Sequence, residues 1–328
     1  MSTTITALGK WAAVLLAVAG MVWGLSAAAL ARGAGAPSAT LYVVPHADDE
    51  FQFWSVFDEE ATDYKILAVL TRGEQTSFCE RDSWTASLQE DLGEVRPSPE
   101  PDGRWTRECE EARVGSLLGY LGQMSESDPR VPGDFAEPVT YGPLDGGDQE
   151  LCRMDGDEPN CGDEIREVEV WLDRQNRGAV VQFNLGDGDL TQDRVEWALK
   201  ALKKNREKWG LAPGVEVGAI VGSFANDGAQ RCFAYPHPDH LAVHDALWNV
   251  NFKMGPQLGA TCTLDPRQSL TRVVSGEASR AAFDLSSDGI RHGAHERHYG
   301  WLHAETYPLA FRDEELFHRL QSFWVRFN

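Results

Sequence analysis

His46, Asp48 and Asp49 crowd into the stretch Pro45-His46-Ala47-Asp48-Asp49-Glu50, and His237, Asp239 and His240 into Tyr235-Pro236-His237-Pro238-Asp239-His240. Imidazole nitrogens and carboxylate oxygens are the donors of a catalytic zinc, which takes three protein ligands and keeps one position for water. His46, Asp49, His237 and His240 offer more than that number. A bound zinc makes its water acidic enough to ionise near neutrality, and a carboxylate beside it completes the activation. Asp48 and Asp49 are chain neighbours, and neighbours on a strand face opposite ways. One acid as ligand and the other as base is therefore the economical division, with Glu50 supporting the ligands or sitting at a helix N-terminus, where the dipole stabilises it.

Both stretches need a strand to deliver them. The apolar run Leu41–Val44 leads directly into the first, and open α/β sheets keep their sites at the carboxyl ends of strands. Ile66–Leu70, Val180–Leu185 and Val215–Val221 read as further strands, nearly all apolar as strands covered on two faces should be. Between them, Arg107–Leu121, ended by Gly122, Asp163–Arg174, Gln192–Trp209, closed by Gly210, and His240–Val250 carry helical patterns. This alternation predicts an α/β fold, a mainly parallel sheet with helices on both faces. Residues 71–106 and 122–162, rich in Pro, Gly and Asp, read as loop excursions, the second pinned by cysteines. Residues 251–300 give no clear order. In Asp313–Phe327 the spacing of Leu316, Phe317, Leu320 and Phe323 predicts a helix with one apolar stripe packed on the core.

The chain has 328 residues, 42% hydrophobic and 25% charged, which suits a single large globular domain. Trp11–Ala31 carries no charge, follows Lys10 and ends in Ala29-Leu30-Ala31. It reads as a secretory signal or, left uncleaved, as a membrane anchor, so residues 1–31 are set apart from the domain. Either way the rest is expected on the oxidising side, and the even set of six cysteines agrees. Cys152 and Cys161, close in sequence, are the first pair expected to bridge. The net charge of −21 repels phosphate backbones and argues against nucleic acid as a partner.

Pro45–Glu50 resembles the Ala-His-Pro-Asp-Asp-Glu signature of the LmbE/PIG-L family of zinc-dependent N-acetylglucosaminyl deacetylases, and His237–His240 resembles its second signature. Thr71-Arg72-Gly73-Glu74 is similar to the family's Thr-x-Gly-Glu, and Arg107-x-x-Glu110, with Leu118-Gly119 further on, to its Arg-x-x-Glu helix. The matches span residues 41–250. The resemblance implies one Rossmann-like domain over residues 40–328, with disulfide-pinned loop insertions, and a zinc ion or other divalent metal held by His46, Asp49 and His240. It further implies Asp48 as general base, His237 as the group, an imidazolium, that stabilises the oxyanion, and Tyr235 and Arg107 as substrate contacts. The substrate implied is an N-acetylated sugar or glycan. Ala47 replaces the usual proline, and a secreted, disulfide-bearing chain differs from the family's cytosolic thiol-pathway enzymes, so their substrates do not transfer.

Other functions stay open: an amidase or esterase using the same metal site on another acyl substrate, and a non-catalytic extracellular glycan-binding protein. Arg107 can equally pair with Glu110 or Glu111 on its own helix. Tyr235 can equally be a half-buried tyrosine at a strand end. His292, His295, His298 and His303 cluster in sequence, but spacing without a fixed frame does not define a site. Asp187-Gly188-Asp189 has the composition of a calcium loop without its glycine at position six.

Overall fold

The computed structural model describes residues 38–60, 63–84, 99–146, 151–226, 234–261, 271–283 and 320–327. Eleven strands are present among them: β1 Ala39–Val44, β2 Tyr64–Thr71, β3 Val139–Tyr141, β4 Arg153–Asp155, β5 Glu158–Asn160, β6 Val168–Leu172, β7 Gly178–Leu185, β8 Val217–Gly222, β9 Gln257–Thr261, β10 Thr271–Ser275 and β11 Leu320–Arg326. Nine form one sheet in the order β10-β11-β9-β8-β1-β2-β7-β6-β3, and β4 and β5 form a separate hairpin. The centre, β9-β8-β1-β2-β7, is parallel, and both flanks are antiparallel.

The central strands are apolar throughout because both their faces are covered. Leu41, Val43, Ile66, Ala68, Val181 and Phe183 pack on one face with α4 (Gln192–Asn205) and α5 (Pro238–Asn249). Tyr42, Val44, Leu67, Val69 and Val180 pack on the other with α1 (Trp54–Glu59) and α3 (Arg107–Ser127). Alternate residues of β1 and β2 thus enter opposite cores, which is the two-sided α/β architecture expected from the sequence. Short α2 (Arg81–Trp84) and α6 (Glu277–Phe283) complete the helices among the described residues, none of which is long and apolar enough to cross a membrane.

Four sequence expectations need correction. First, Gly122 does not end α3, which runs on to Ser127 and also contains Gly115 and Gly119; each helical glycine costs only about 1 kcal/mol relative to alanine, and Leu117, Tyr120 and Leu121 hold the turns around them in the core. Second, Asp163–Arg174 is not a helix. A 3-10 turn, Asp163–Arg166, gives way to β6, whose Val168 and Val170 are buried while Glu169 lies between them partly exposed. That period of two is the strand signal. Third, the described part of Asp313–Phe327 is strand β11, inserted between β10 and β9. Leu320 of the expected stripe is 54% exposed, whereas Phe323 and Trp324, adjacent in sequence, are both fully buried. In a strand, successive side chains enter opposite faces, so burial of both neighbours means that β11 is covered on both sides. Fourth, the loop stretches hold structure: β3 to β5 lie within 122–162, and a 3-10 turn, Ser77–Cys79, precedes α2 within 71–106.

Among the described residues two disulfides are formed. Cys152–Cys161 closes the β4–β5 hairpin, as expected, and Cys79–Cys109 ties the loop after β2 to the first turn of α3. Cys232, Cys262, the leader and the histidine group 292–303 lie outside the described residues.

Candidate metal centre

The loop after β1 turns sharply at Pro45–Asp49, and Asp49 heads a 3-10 turn, Glu50–Phe53. The loop after β8 leads to Tyr235, which bridges back to Asn226, and to His237, the N-cap of α5. Because β1 and β8 are parallel neighbours, both loops leave the sheet at the same edge. Val43 anchors them together: its carbonyl accepts the Ser223 N–H at 3.1 Å.

This edge brings together His46, Asp49, His237 and His240. Asp49 Oδ2 lies 3.0 Å from His46 Nδ1 and 3.2 Å from His240 Nε2. Ligand atoms on a tetrahedral zinc with bonds of about 2.0–2.1 Å stand about 3.3 Å apart, so both separations suit a shared ion. The other faces of the rings are fixed. His240 Nδ1 donates to the Phe224 carbonyl at 2.7 Å, and His46 Nε2 lies 3.0 Å from both Asp187 Oδ1 and Asp239 Oδ2. This is how ligating histidines are usually oriented, by a carbonyl or carboxylate on the far nitrogen. Asp239 is itself held by the N–H groups of Gly188 (2.8 Å) and Leu190 (3.0 Å), and Asp49 by Gln52 Nε2 (2.8 Å).

Three observations show that this donor set fits a cation. His240 Nε2 is buried without a hydrogen-bond partner. His46, His237 and His240 have ligand nitrogens within 4.8 Å of one another, as do His46, Asp48 and Asp49 in their ligand atoms. The carboxylates of Asp48, Asp49, Asp187 and Asp239 are all buried here, alongside one buried guanidinium, Arg113. Buried anions in such surplus need positive charge.

The titrations follow. Burial alone would raise Asp49, but His240 and His46 hold it well below the usual carboxylate range. Burial would lower His46, yet Asp187, with Asp239 and Asp49, holds it well above its ordinary value. Burial would raise Asp187, but His46, the Gln75 N–H and Arg113 together bring it down to about 2. His237 is pushed down to about 4 by burial, with His46 and His240 adding to the shift. Its Nδ1 accepts the Asp239 N–H at 3.3 Å. With Nδ1 accepting, the neutral ring carries its N–H on Nε2, the form that this environment favours near pH 7 over the imidazolium of the family pattern.

Asp48 meets Arg113 in a two-point pair, Nη1–Oδ2 2.9 Å and Nη2–Oδ1 3.2 Å. Tyr235 is half-buried, its ring centroid 4.7 Å from that of His240. Arg107 is not brought to the cluster: its side chain is 85% exposed and pairs with Glu111 at 2.5 Å. It lines a cavity of about 420 Å³ with Arg72, Glu110, Arg153, Gln182 and Asn184.

Arg113, Asp187 and Asp239 carry no role in the sequence reading. Arg113 had a signal, since it shares the buried stripe of α3 with Cys109, Leu117 and Tyr120. Asp239 sits inside the second motif. Asp187 stood out only in Asp187-Gly188-Asp189, whose acids suggested a calcium loop, and not as a partner of His46.

No family model matches the sequence, and no curated protein matches it. Among solved structures the chain is similar to a deacetylase triple mutant of the teicoplanin biosynthetic pathway, with a TM-score of 0.44, 12% identity and coverage of 89% of this chain and 99% of that one. It is also similar to a deacetylase–teicoplanin complex, with a TM-score of 0.41, 13% identity and coverage of 88% and 98%. A third is the zinc-inhibited form of teicoplanin deacetylase, with a TM-score of 0.39, 12% identity and coverage of 88% and 97%. At these scores the likeness carries no argument about chemistry.

Proposed function

We propose that this chain is a metal-dependent hydrolase that removes the N-acetyl group from an N-acetylated sugar or glycoconjugate. The observation that carries this reading is the meeting of His46 Nδ1 and His240 Nε2 on Asp49 Oδ2, with both far nitrogens already committed. His46, Asp49 and His240 would hold the ion, and zinc suits their mixed nitrogen and oxygen donors. When bound, zinc supplies a polarised carbonyl and a water acidic near neutrality.

The rest falls to the chain. Asp48 takes a proton from the attacking water and returns it to the nitrogen as the amide C–N bond breaks, leaving acetate and a free amine. His237, neutral with its proton on Nε2, donates to the oxygen that gains charge. Tyr235, beside His240, contacts the substrate close to the reacting group. Arg107 reaches only a substrate long enough to extend to the start of α3. The two disulfides support a secreted or membrane-anchored location.

Acetate release should be measured on metal-loaded protein with N-acetylhexosamines, other acyl amides and esters, with and without chelator. The proposal expects release from N-acetylated sugars that stops with chelator and returns with added zinc. Turnover of esters or non-sugar amides alone would move the assignment to another acyl hydrolase, and metal-independent release would sink it.

A further inference from the structure

The resemblance that singles out Asp48 says nothing about what keeps it off the metal. Asp48 adjoins the ligand Asp49, and His46, Asp48 and Asp49 already have ligand atoms within 4.8 Å of one another. A small rotation of the Asp48 side chain would make it another metal ligand, and the base would be lost.

Two elements converge against that rotation. Arg113 lies on the buried stripe of α3, and its residue is only 4% exposed. A guanidinium in such a place is costly unless paired, and the planar fork of arginine fits a carboxylate at two points. Both Asp48 oxygens are engaged in this way, at 2.9 and 3.2 Å. The loop after β2 is shaped to make room: Gly73 has φ +67°, and a Cβ there would stand 2.7 Å from Arg113 Nε and 2.8 Å from Nη2. The glycine of Thr-x-Gly-Glu thus has a local reason, because any side chain would collide with the guanidinium that grips Asp48. Each Asp48 oxygen keeps a further lone pair for a water.

We propose that Arg113 is a positioning residue which fixes the Asp48 carboxylate as base and holds it apart from the metal ligands. This rests on the hydrolase reading, since it takes Asp48 as the base. It adds a residue from another element and a distinct prediction: loss of Arg113 should tighten metal binding while slowing turnover.

The test compares wild type, Arg113→Ala, Arg113→Lys and Arg113→Ala/Asp48→Asn by chelator competition and by kinetics on the metal-loaded proteins. Arg113→Ala should lose about 100-fold in kcat with KM within about 3-fold, the scale of a misplaced catalytic group. Arg113→Lys, with one contact in place of two, should fall between, and guanidinium salt should restore part of the Arg113→Ala rate. Zinc affinity should rise in Arg113→Ala and return to the wild-type value in the double variant. If Arg113→Ala fails to fold, Arg113→Lys carries both readouts. Wild-type kcat, or zinc affinity unchanged or weakened in folded Arg113 variants, would overturn the proposal. If the wild type releases no acetate, the hydrolase reading fails by itself, and the affinity comparison still judges Arg113.

Discussion

His240 Nε2 faces Asp49 Oδ2 at 3.2 Å across a buried gap, while His240 Nδ1 already donates to the Phe224 carbonyl. In the neutral ring that leaves two lone pairs pointing at each other. A second proton on the imidazole can relieve this, and so can a cation between them. His46 Nδ1, 3.0 Å from the same oxygen, repeats the pattern. The centre is thus built around one carboxylate oxygen shared by two histidines 194 residues apart in sequence, one in the loop after β1 and one in the first turn of α5, brought together because β1 and β8 are parallel neighbours.

Asp239 orients His46 from behind, accepting also from the N–H groups of Gly188 and Leu190. Asp239→Asn keeps the side-chain shape but weakens that acceptor. Zinc affinity is expected to fall about 10- to 100-fold, the usual effect of losing such a partner, as read by competition with a fluorescent chelator. Wild-type affinity would show that Asp239 has no part in holding the ligand.

Glu74 is fully buried, and burial, then Asp187, pushes its carboxyl up to about 8 against the pull of Arg153. In the unfolded chain it titrates near its ordinary value of 4.5. Between these values the folded state binds more protons than the unfolded state, so this group makes stability fall as pH rises from about 4.5 to about 8. Glu74→Gln is neutral throughout and should flatten that slope in denaturant unfolding at about pH 5, 6.5 and 8. An identical slope in the variant would contradict the assignment.

The disulfides differ in the loop each closes, with sequence separations of 30 for Cys79–Cys109 and 9 for Cys152–Cys161. Chain entropy assigns them about 3.6 and about 2.6 kcal/mol. Replacing each pair by alanines should therefore cost more at Cys79–Cys109, where both sulfurs are also buried. Denaturant midpoints that rank the pairs in the opposite order would count against this.

The sequence made the middle of the fold legible and its edges much less so. β1, β2 and β7 are long apolar runs covered on both faces, and Thr191 caps α4 by accepting the Arg194 N–H at 3.4 Å. Such local signals agree with the tertiary structure. β6 and β11 lie toward the antiparallel flanks, where short strands mix polar and apolar residues and an accidental helical spacing can outweigh a true period of two. Within the site, His46, Asp49, His237 and His240 were readable because each motif is compact. Arg113 and Asp187 were not, because their contacts with Asp48 and His46 span 65 and 141 residues of chain. Only the packing of α3 and the ends of β2 and β7 brings them in. Trp324 shows the same reach: from β11 its Nε1 donates to His244 on α5, at 3.0 Å.

The central claim divides labour between two adjacent acids, Asp49 to hold the metal and Asp48 to move the proton. The direct measurement is zinc content together with acetate release for wild type, Asp49→Asn and Asp48→Asn purified alike. The account predicts that Asp49→Asn loses both zinc and activity. Asp48→Asn should keep stoichiometric zinc while acetate release falls by about 100-fold or more, the range for a lost general base. Full acetate release by Asp48→Asn, or full zinc occupancy in Asp49→Asn, would contradict it.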